Sequence, residues 1–348
     1  MVVDVADFFQ CVWSKVGDAE KAAGESSERW FEIAGCMLRV RFIGSALVEI
    51  IAPALSHLEI ARPNRDADLT LHCWDCETLN VDFPTAPVTM DAFDPRGGVH
   101  GLNNARFHAA FERSGRALSL MDAQLRQAVY CVGIATDISR TDRAEPIRAL
   151  LSWFMRENGR HLLHAGAVGT PDGGVLLLGP SGAGKSNTAL GCLASDLSYA
   201  SDDFCAVSAN GNPTVYSIYN TGKTRESDWS RHPFLAELAP HLDPARLEKA
   251  IYFLNETAPH KLVSSFPLKA ILFPKGGEAC ELRPIPPVAA LRFAAADTAK
   301  LLPDVGPELL RCLGRLVRAV PCYELSLGSK PDAIPNVISD LLVRSGFQ

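Results

Sequence analysis

The stretch Gly179-Pro-Ser-Gly-Ala-Gly-Lys-Ser186 constrains this chain more than any other. It matches GxxxxGK[ST], the P-loop pattern. Glycines let the backbone curl so that successive N–H groups point at one anion. Lys185 adds a point charge at the β/γ phosphates. Ser186 can place its hydroxyl on Mg²⁺. An apolar strand, Val175–Leu178, runs into the loop, and a helix from Ser186 to about Leu193, through Thr188-Ala189-Leu190, runs out of it. Such a helix aims its positive end at the same anion. A glycine-rich turn that merely capped a helix would not need Lys and Ser at these offsets. Gly179, Ser181, Gly182, Ala183, Gly184, Lys185, Ser186 and Asn187 are therefore the expected phosphate-binding residues.

Asp202 and Asp203 follow Lys185 by 17 and 18 positions, which leaves room for one helix and a return strand, Leu197–Ala200. Two carboxylates at a strand end beside a nucleotide can divide two jobs. One holds Mg²⁺ directly or through water, and the other takes a proton from an attacking hydroxyl. The bland alternative is a solvated Asp-Asp turn. His164 lies on an apolar strand, where a histidine is most often a satisfied core residue.

Six residues, Gly169–Gly174, separate the strands Leu162–Val168 and Val175–Leu178. That is too short for a parallel crossover, so the pair should be an antiparallel hairpin. Before it, residues 142–157 read as one amphipathic helix with Ile147, Leu150, Leu151 and Phe154 on its apolar face, ended by Gly159. The first 140 residues read as a mixed α/β unit. Residues 4–22 have helical periodicity, Met37–Phe42 and Leu69–Trp74 alternate, and Ser45 heads a helix to Leu55. Residues 77–104 look like loop, and 106–113, 117–121 and 126–132 form an antiparallel meander. Beyond the acidic pair, residues 229–242, 244–253, 301–320 and 335–343 read as helices and Leu268–Phe273 as a strand. The expected division is an accessory or recognition domain at 1–140 and a catalytic domain at 141–348.

With 348 residues, 47% hydrophobic and 21% charged, the chain can bury a sizeable core. A net charge of −6 argues against a nucleic-acid partner. No apolar run approaches the ~18–20 residues that cross a bilayer. The first ten residues carry acids where a signal peptide would be basic, so the expected location is cytoplasmic. Ten cysteines without regular spacing read mostly as small buried hydrophobes. Cys73 and Cys76 form a single CxxC with no second pair to complete a zinc site.

From His164 to Asp203 the chain resembles the catalytic core of HPr kinase/phosphorylase, bacterial enzymes that use ATP to phosphorylate a serine on a small carrier protein. That family has a histidine on the strand before the loop, a GxSGxGKS loop with a Thr-Ala-Leu helix, and an Asp-Asp pair. Here these are His164, Gly179–Ser186 with Thr188-Ala189-Leu190, and Asp202-Asp203. The resemblance implies an α/β P-loop kinase core, shared with phosphoenolpyruvate carboxykinase, preceded by the mixed α/β domain. It implies that Asp203 is the general base, that His164 sits beside it, that Lys185 holds the β/γ phosphates, and that Ser186 and Asp202 hold Mg²⁺. Lys261, before a strand, lies in the region of the family's phosphate-contacting arginine.

The chain also departs from the family. The family's Glu-Ile-Arg-Gly-type segment supplies a metal-binding glutamate. The stretch Thr214–Glu226 has none at that point; Lys223 and Arg225 stand there, and Glu226 lies further on. The second metal ligand and any reverse, phosphate-dependent reaction are thereby in doubt. The expected activity is Mg-ATP-dependent transfer to a serine of a peptide or small protein. The layout resembles HPr-kinase-like proteins that tailor peptides, including lasso-type precursors. A small-molecule hydroxyl kinase and a non-catalytic nucleotide-gated module remain the alternatives. A homo-oligomer is left open.

Overall fold

The structure is a computed structural model that describes residues 4–87, 92–94, 97–112, 116–225, 232–235, 249–298, 301–303 and 306–345. The chain divides into two units, residues 1–159 with 301–305, and residues 160–300 with 306–348. The boundary lies beyond the helical stretch at 142–157, which belongs to the first unit.

In the first unit, helix α1 (Val5–Ala23) starts where the Asp4 carboxylate accepts from the Ala6 N–H at 2.9 Å. It ends at Gly24, in the left-handed region at φ +67°. Strands β1 (Ser26–Ile33) and β2 (Cys36–Ile43) form an antiparallel hairpin. Helix α2 (Val48–Leu55) and the short β3 (Glu59–Ile60) follow, then β4 (Leu69–Asp75) and α3 (Cys76–Leu79). The meander is present as β5 (Phe107–Glu112), β6 (Ala117–Asp122) and β7 (Gln127–Val132), antiparallel throughout. The seven strands order as β3-β1-β2-β4-β7-β6-β5, with β4 parallel to both β2 and β7. Phe8, Phe9, Val12 and Val16 of α1 join Trp74, Phe107, Leu118, Leu120 and Val129 in one apolar cluster on the sheet.

Residues 142–157 are not one helix. Helix α4 (Arg140–Ala144) stops, and α5 (Arg148–Glu157) starts after Ile147, held at φ +50°. Pro146 causes the break: it has no N–H to donate and disfavours helical backbone at Glu145. The apolar face survives, with Ile147, Leu150, Leu151 and Phe154 all buried.

The second unit opens with β8 (His161–His164), β9 (Gly166–Thr170) and β10 (Gly173–Leu177). The hairpin is β9 with β10, and its turn is only residues 171–172. The single strand expected at 162–168 is two strands, interrupted at Ala165. Helix α6 (Lys185–Gly191) leads to β11 (Ser198–Ser201), β12 (Phe204–Ser208), β13 (Thr214–Ser217) and β14 (Thr221–Thr224). Then come β15 (Ala250–Phe253), β16 (Ser265–Lys275), β17 (Cys280–Pro284) and β18 (Cys322–Leu327). The order β11-β9-β10-β16-β13-β12-β8 runs through the long β16, which also pairs with β18. Near its start β16 is antiparallel to β13; further on it lies parallel to β10 and β18. Every residue of β10 is buried, which is why it is an unbroken apolar run and not an alternating one.

The described part of 244–253 is strand β15, not helix. Most of 229–242, with His241, lies outside the described residues. The helices expected at 301–320 and 335–343 are Pro307–Ala319 and Ala333–Ser345, and the described residues add helices at Leu254–Thr257 and Pro287–Thr298. No helix among the described residues is long and apolar enough to cross a membrane. Eight of the ten cysteines are buried; Cys11 is exposed and Cys280 intermediate.

Candidate active site

The loop after β10 curls through three glycines in the left-handed half of φ space: Gly179 at +140°, Gly182 at +84° and Gly184 at +104°. At Gly184 a Cβ would also meet the Leu327 side chain at 2.5 Å. Helix α6 starts at Lys185, two turns long. The Lys185 ammonium folds back and donates to the Gly179 carbonyl at 2.7 Å and to that of Pro180 at 3.4 Å.

Asp202 and Asp203 form the junction between β11 and β12, and their side chains part. Asp202 is buried. One of its oxygens accepts from the Lys223 backbone N–H at 2.6 Å. The other, Oδ1, has no hydrogen-bond partner among the described residues. Burial, and next the charge of Asp203, push the Asp202 carboxyl up to about 7, against the pull of the Ser186 hydroxyl and the Lys223 N–H. Asp203 faces a cleft. Its Oδ1 is 2.6 Å from His164 Nε2 and its Oδ2 accepts from Lys223 Nζ at 2.9 Å. Burial acts to raise the Asp203 carboxyl. The His164 hydrogen bond and charge, with Lys249 and Lys185, outweigh it and leave the group below the ordinary range.

The backbone explains the pairing. In antiparallel β8 and β12, His164 stands opposite Phe204, and the Ala165 N–H donates to the Asp203 carbonyl at 2.9 Å. The histidine is therefore one register step from the acid. Lys223 arrives on β14, paired with β15, and the Tyr199 hydroxyl ties β11 to the Thr221 carbonyl at 2.7 Å. Lys223 thus holds both acids, one by its N–H and one by its ammonium.

The cleft has a volume of about 320 Å³. Lys185, Lys223, Arg225 and Lys249 line it, with His164 and the loop residues Ser181, Gly182, Gly184, Ser186 and Asn187; among the described residues Asp203 is the one carboxylate in the lining. Four cations against one carboxylate suit a polyphosphate. Across the loop lies a second, apolar cleft of about 450 Å³, bounded by Gly179–Ala183, Phe273, Pro274, Ile285 and Phe293. The Phe273 and Phe293 rings are 5.7 Å apart.

Neither protein-family models nor curated proteins give a match. Among solved structures, the chain is similar to the Hpr(Ser) kinase/phosphatase from Coxiella burnetii, with a TM-score of 0.30 and 10% identity over 53% of this chain and 99% of that one.

In the cationic cleft the structure brings together His164, Asp203, Lys185, Ser186, Asn187, Ser181, Gly182 and Gly184, while Gly179 lines only the apolar cleft. Ala183 lines only the apolar cleft. Lys261 is not in either lining. It sits on a short 3₁₀ turn, and its ammonium donates to the Ser195 carbonyl. Lys223 and Lys249 stand in the cationic cleft instead. Glu226 lies outside the described residues. The sequence marks Lys223 only as a charge replacing an expected acid. That β14 would carry it back over the acidic pair depends on pairing with β15, which no local pattern announces.

The residues fit a divalent cation. The buried Asp202 carboxylate, whose Oδ1 makes no hydrogen bond within normal distance among the described residues, and the Ser186 hydroxyl that favours its charged form are the donor set of a cation that takes few protein ligands and completes its shell with phosphate and water. No cluster of three or more His, Cys, Asp or Glu is found among the described residues.

Proposed function

We propose that the protein is a cytoplasmic Mg-ATP-dependent kinase that phosphorylates a serine hydroxyl of a peptide or small protein. One observation carries this reading: Asp203, held between His164 and Lys223, faces the P-loop across a single cationic cleft. Ser186 and Asp202 would hold Mg²⁺, which when bound neutralises phosphate charge and lowers the cost of crowding it. The loop N–H groups and Lys185 bind the phosphates. The apolar cleft between Phe273 and Phe293 receives the base.

Asp203 takes the proton of the serine hydroxyl as that oxygen bonds to the γ-phosphorus. The bond from the γ-phosphorus to the bridging oxygen breaks, and ADP leaves with that oxygen. His164 keeps Asp203 ionised and oriented. Each Asp203 oxygen carries one partner in the structure and keeps a second lone pair, by which it accepts the hydroxyl proton while Lys223 stays beside the phosphates. The same pairing favours a second reading, a nucleotide-gated module in which Asp203 stays locked and nothing is transferred.

The test is γ-labelled ATP and Mg²⁺ with a source-cell extract split into peptide and small-molecule fractions. Label in the peptide fraction with wild type, reduced about 10²- to 10⁴-fold in Asp203→Asn, is expected. Mass spectrometry of the labelled species then shows whether it is a lasso-type precursor, the acceptor suggested by the resemblance. Label among small molecules would make the enzyme a metabolite kinase. Bound ATP without transfer would leave the gated module.

A further inference from the structure

The first unit holds a pocket of about 700 Å³ that the proposed chemistry does not use. Its floor is one register row across the sheet. Trp30 of β1 pairs with Arg39 of β2, Arg39 with Thr70 of β4, and Thr70 with Gln127 of β7. In-register partners share a face, and this is the face on which α1 packs against Trp74 and Val129 further along the same strands. The loop 62–67 and the turn at Leu125-Arg126 wall the uncovered end.

The walls are basic. Arg62, Arg65 and Arg126 are exposed, and Arg39 lies at the floor. The carboxylates that answer them are few. Glu28 serves Arg39 at 2.5 Å and Arg62 at 3.6 Å, and Asp68 is 3.8 Å from Arg65. Asp66 is the only acid in the lining among the described residues. Arg126 has no carboxylate partner among the described residues, and it is held at φ +55°, where a residue other than glycine is uncommon. The rest of the lining is not that of a bare anion hole. The Trp30 ring lies under the guanidinium groups of Arg39 and Arg62, at 5.7 and 6.0 Å. Leu125 adds exposed apolar surface, and Thr70 and Asn64 offer hydrogen-bonding groups.

We propose that this pocket docks an acidic peptide segment. Carboxylate side chains pair with Arg62, Arg65 and Arg126, the backbone bonds to Thr70 and Asn64, and an aliphatic stem lies on Leu125. The guanidinium fork matches a carboxylate in two-point geometry. The volume is that of a site for several linked groups and exceeds what one inorganic anion fills.

The assay is fluorescence anisotropy of a labelled hexaglutamate peptide with the full chain and no nucleotide, so it stands apart from the kinase reading. Binding at low salt that weakens as salt rises is expected, with at least a tenfold loss in Arg126→Gln and in Arg62→Gln. Both side chains are exposed, so an unchanged melting temperature certifies the fold of each variant. Three results would overturn the proposal: no binding, equal binding by the double variant, or displacement of the peptide by inorganic phosphate at equal charge.

Discussion

Asp203 owes its charge to its neighbours. Burial alone would raise its carboxyl, and the bond to His164 reverses the direction. In His164→Gln the Asp203 carboxyl should therefore titrate at higher pH, read from its carboxyl carbon by NMR; an unmoved titration would detach His164 from the role. The acid limb of the transfer rate should move up with it. Gly184 is the second residue whose identity follows from position. At φ +104°, with Leu327 where a Cβ would go, Gly184→Ala should cost roughly 1–3 kcal/mol. The melting temperature should fall by several degrees, and ATP affinity should fall more than tenfold because the loop N–H groups no longer converge. Both residues are legible in sequence, one by its interval to the loop and one by the motif. Lys223 is not. Its two contacts to the acids join residues 20 and 21 positions apart through a strand pair that closes only in the folded chain.

At the scale of elements, the end of β4 shows how one buried acid organises a junction. Asp75 accepts from the Thr78 N–H at 2.8 Å, capping α3, and also from the Ala135 N–H. Asp75→Ala removes the cap and leaves a buried donor unmet, at a cost of roughly 1–3 kcal/mol. Urea denaturation should register that loss, and Asp75→Asn, which keeps an acceptor, should recover part of it. The meander and α1 were readable because each has a clean period: alternation with tight turns, or steps of three and four. The helix expected at 142–157 divides in two because its apolar spacing continues across Pro146 while the helical backbone does not. The stretch 162–168 looks like one strand in sequence because its composition is uniform. Its two halves pair with different partners, β8 with β12 and β9 with β10, and composition carries no trace of the partner.

Across the whole molecule, stability should depend on pH through two histidines, His72 buried and His57 half-buried, that the fold holds without charge. His72, on β4 against Trp13 and Gln127, is pushed down to about 4 mainly by burial, and burial pushes His57 down to about 3. The unfolded chain takes up these protons near pH 6.5 and the folded one does not. Their contribution is therefore complete above about 6.5 and is lost as pH falls through 6.5 toward 4, at about 1.4 kcal/mol per pH unit for each group. Denaturant midpoints between pH 7 and 5 should fall, and His72→Gln should make the decline shallower; an unchanged slope would show that His72 is not buried neutral. The local chemistry of this protein is written along the chain: the loop that curls on glycines, the acids at a fixed distance beyond it, the strands and helices with a regular period. These depend on neighbours along the chain, where sterics and hydrogen bonding act over a few residues. Only the tertiary structure decided which strand lies beside which, and with it that Lys223 holds the acidic pair, that Lys261 turns to Ser195, and that a row of side chains from four strands becomes the floor of a basic pocket. Those contacts arise from burial and sheet register, which join residues far apart in sequence and leave no periodic mark on any one segment.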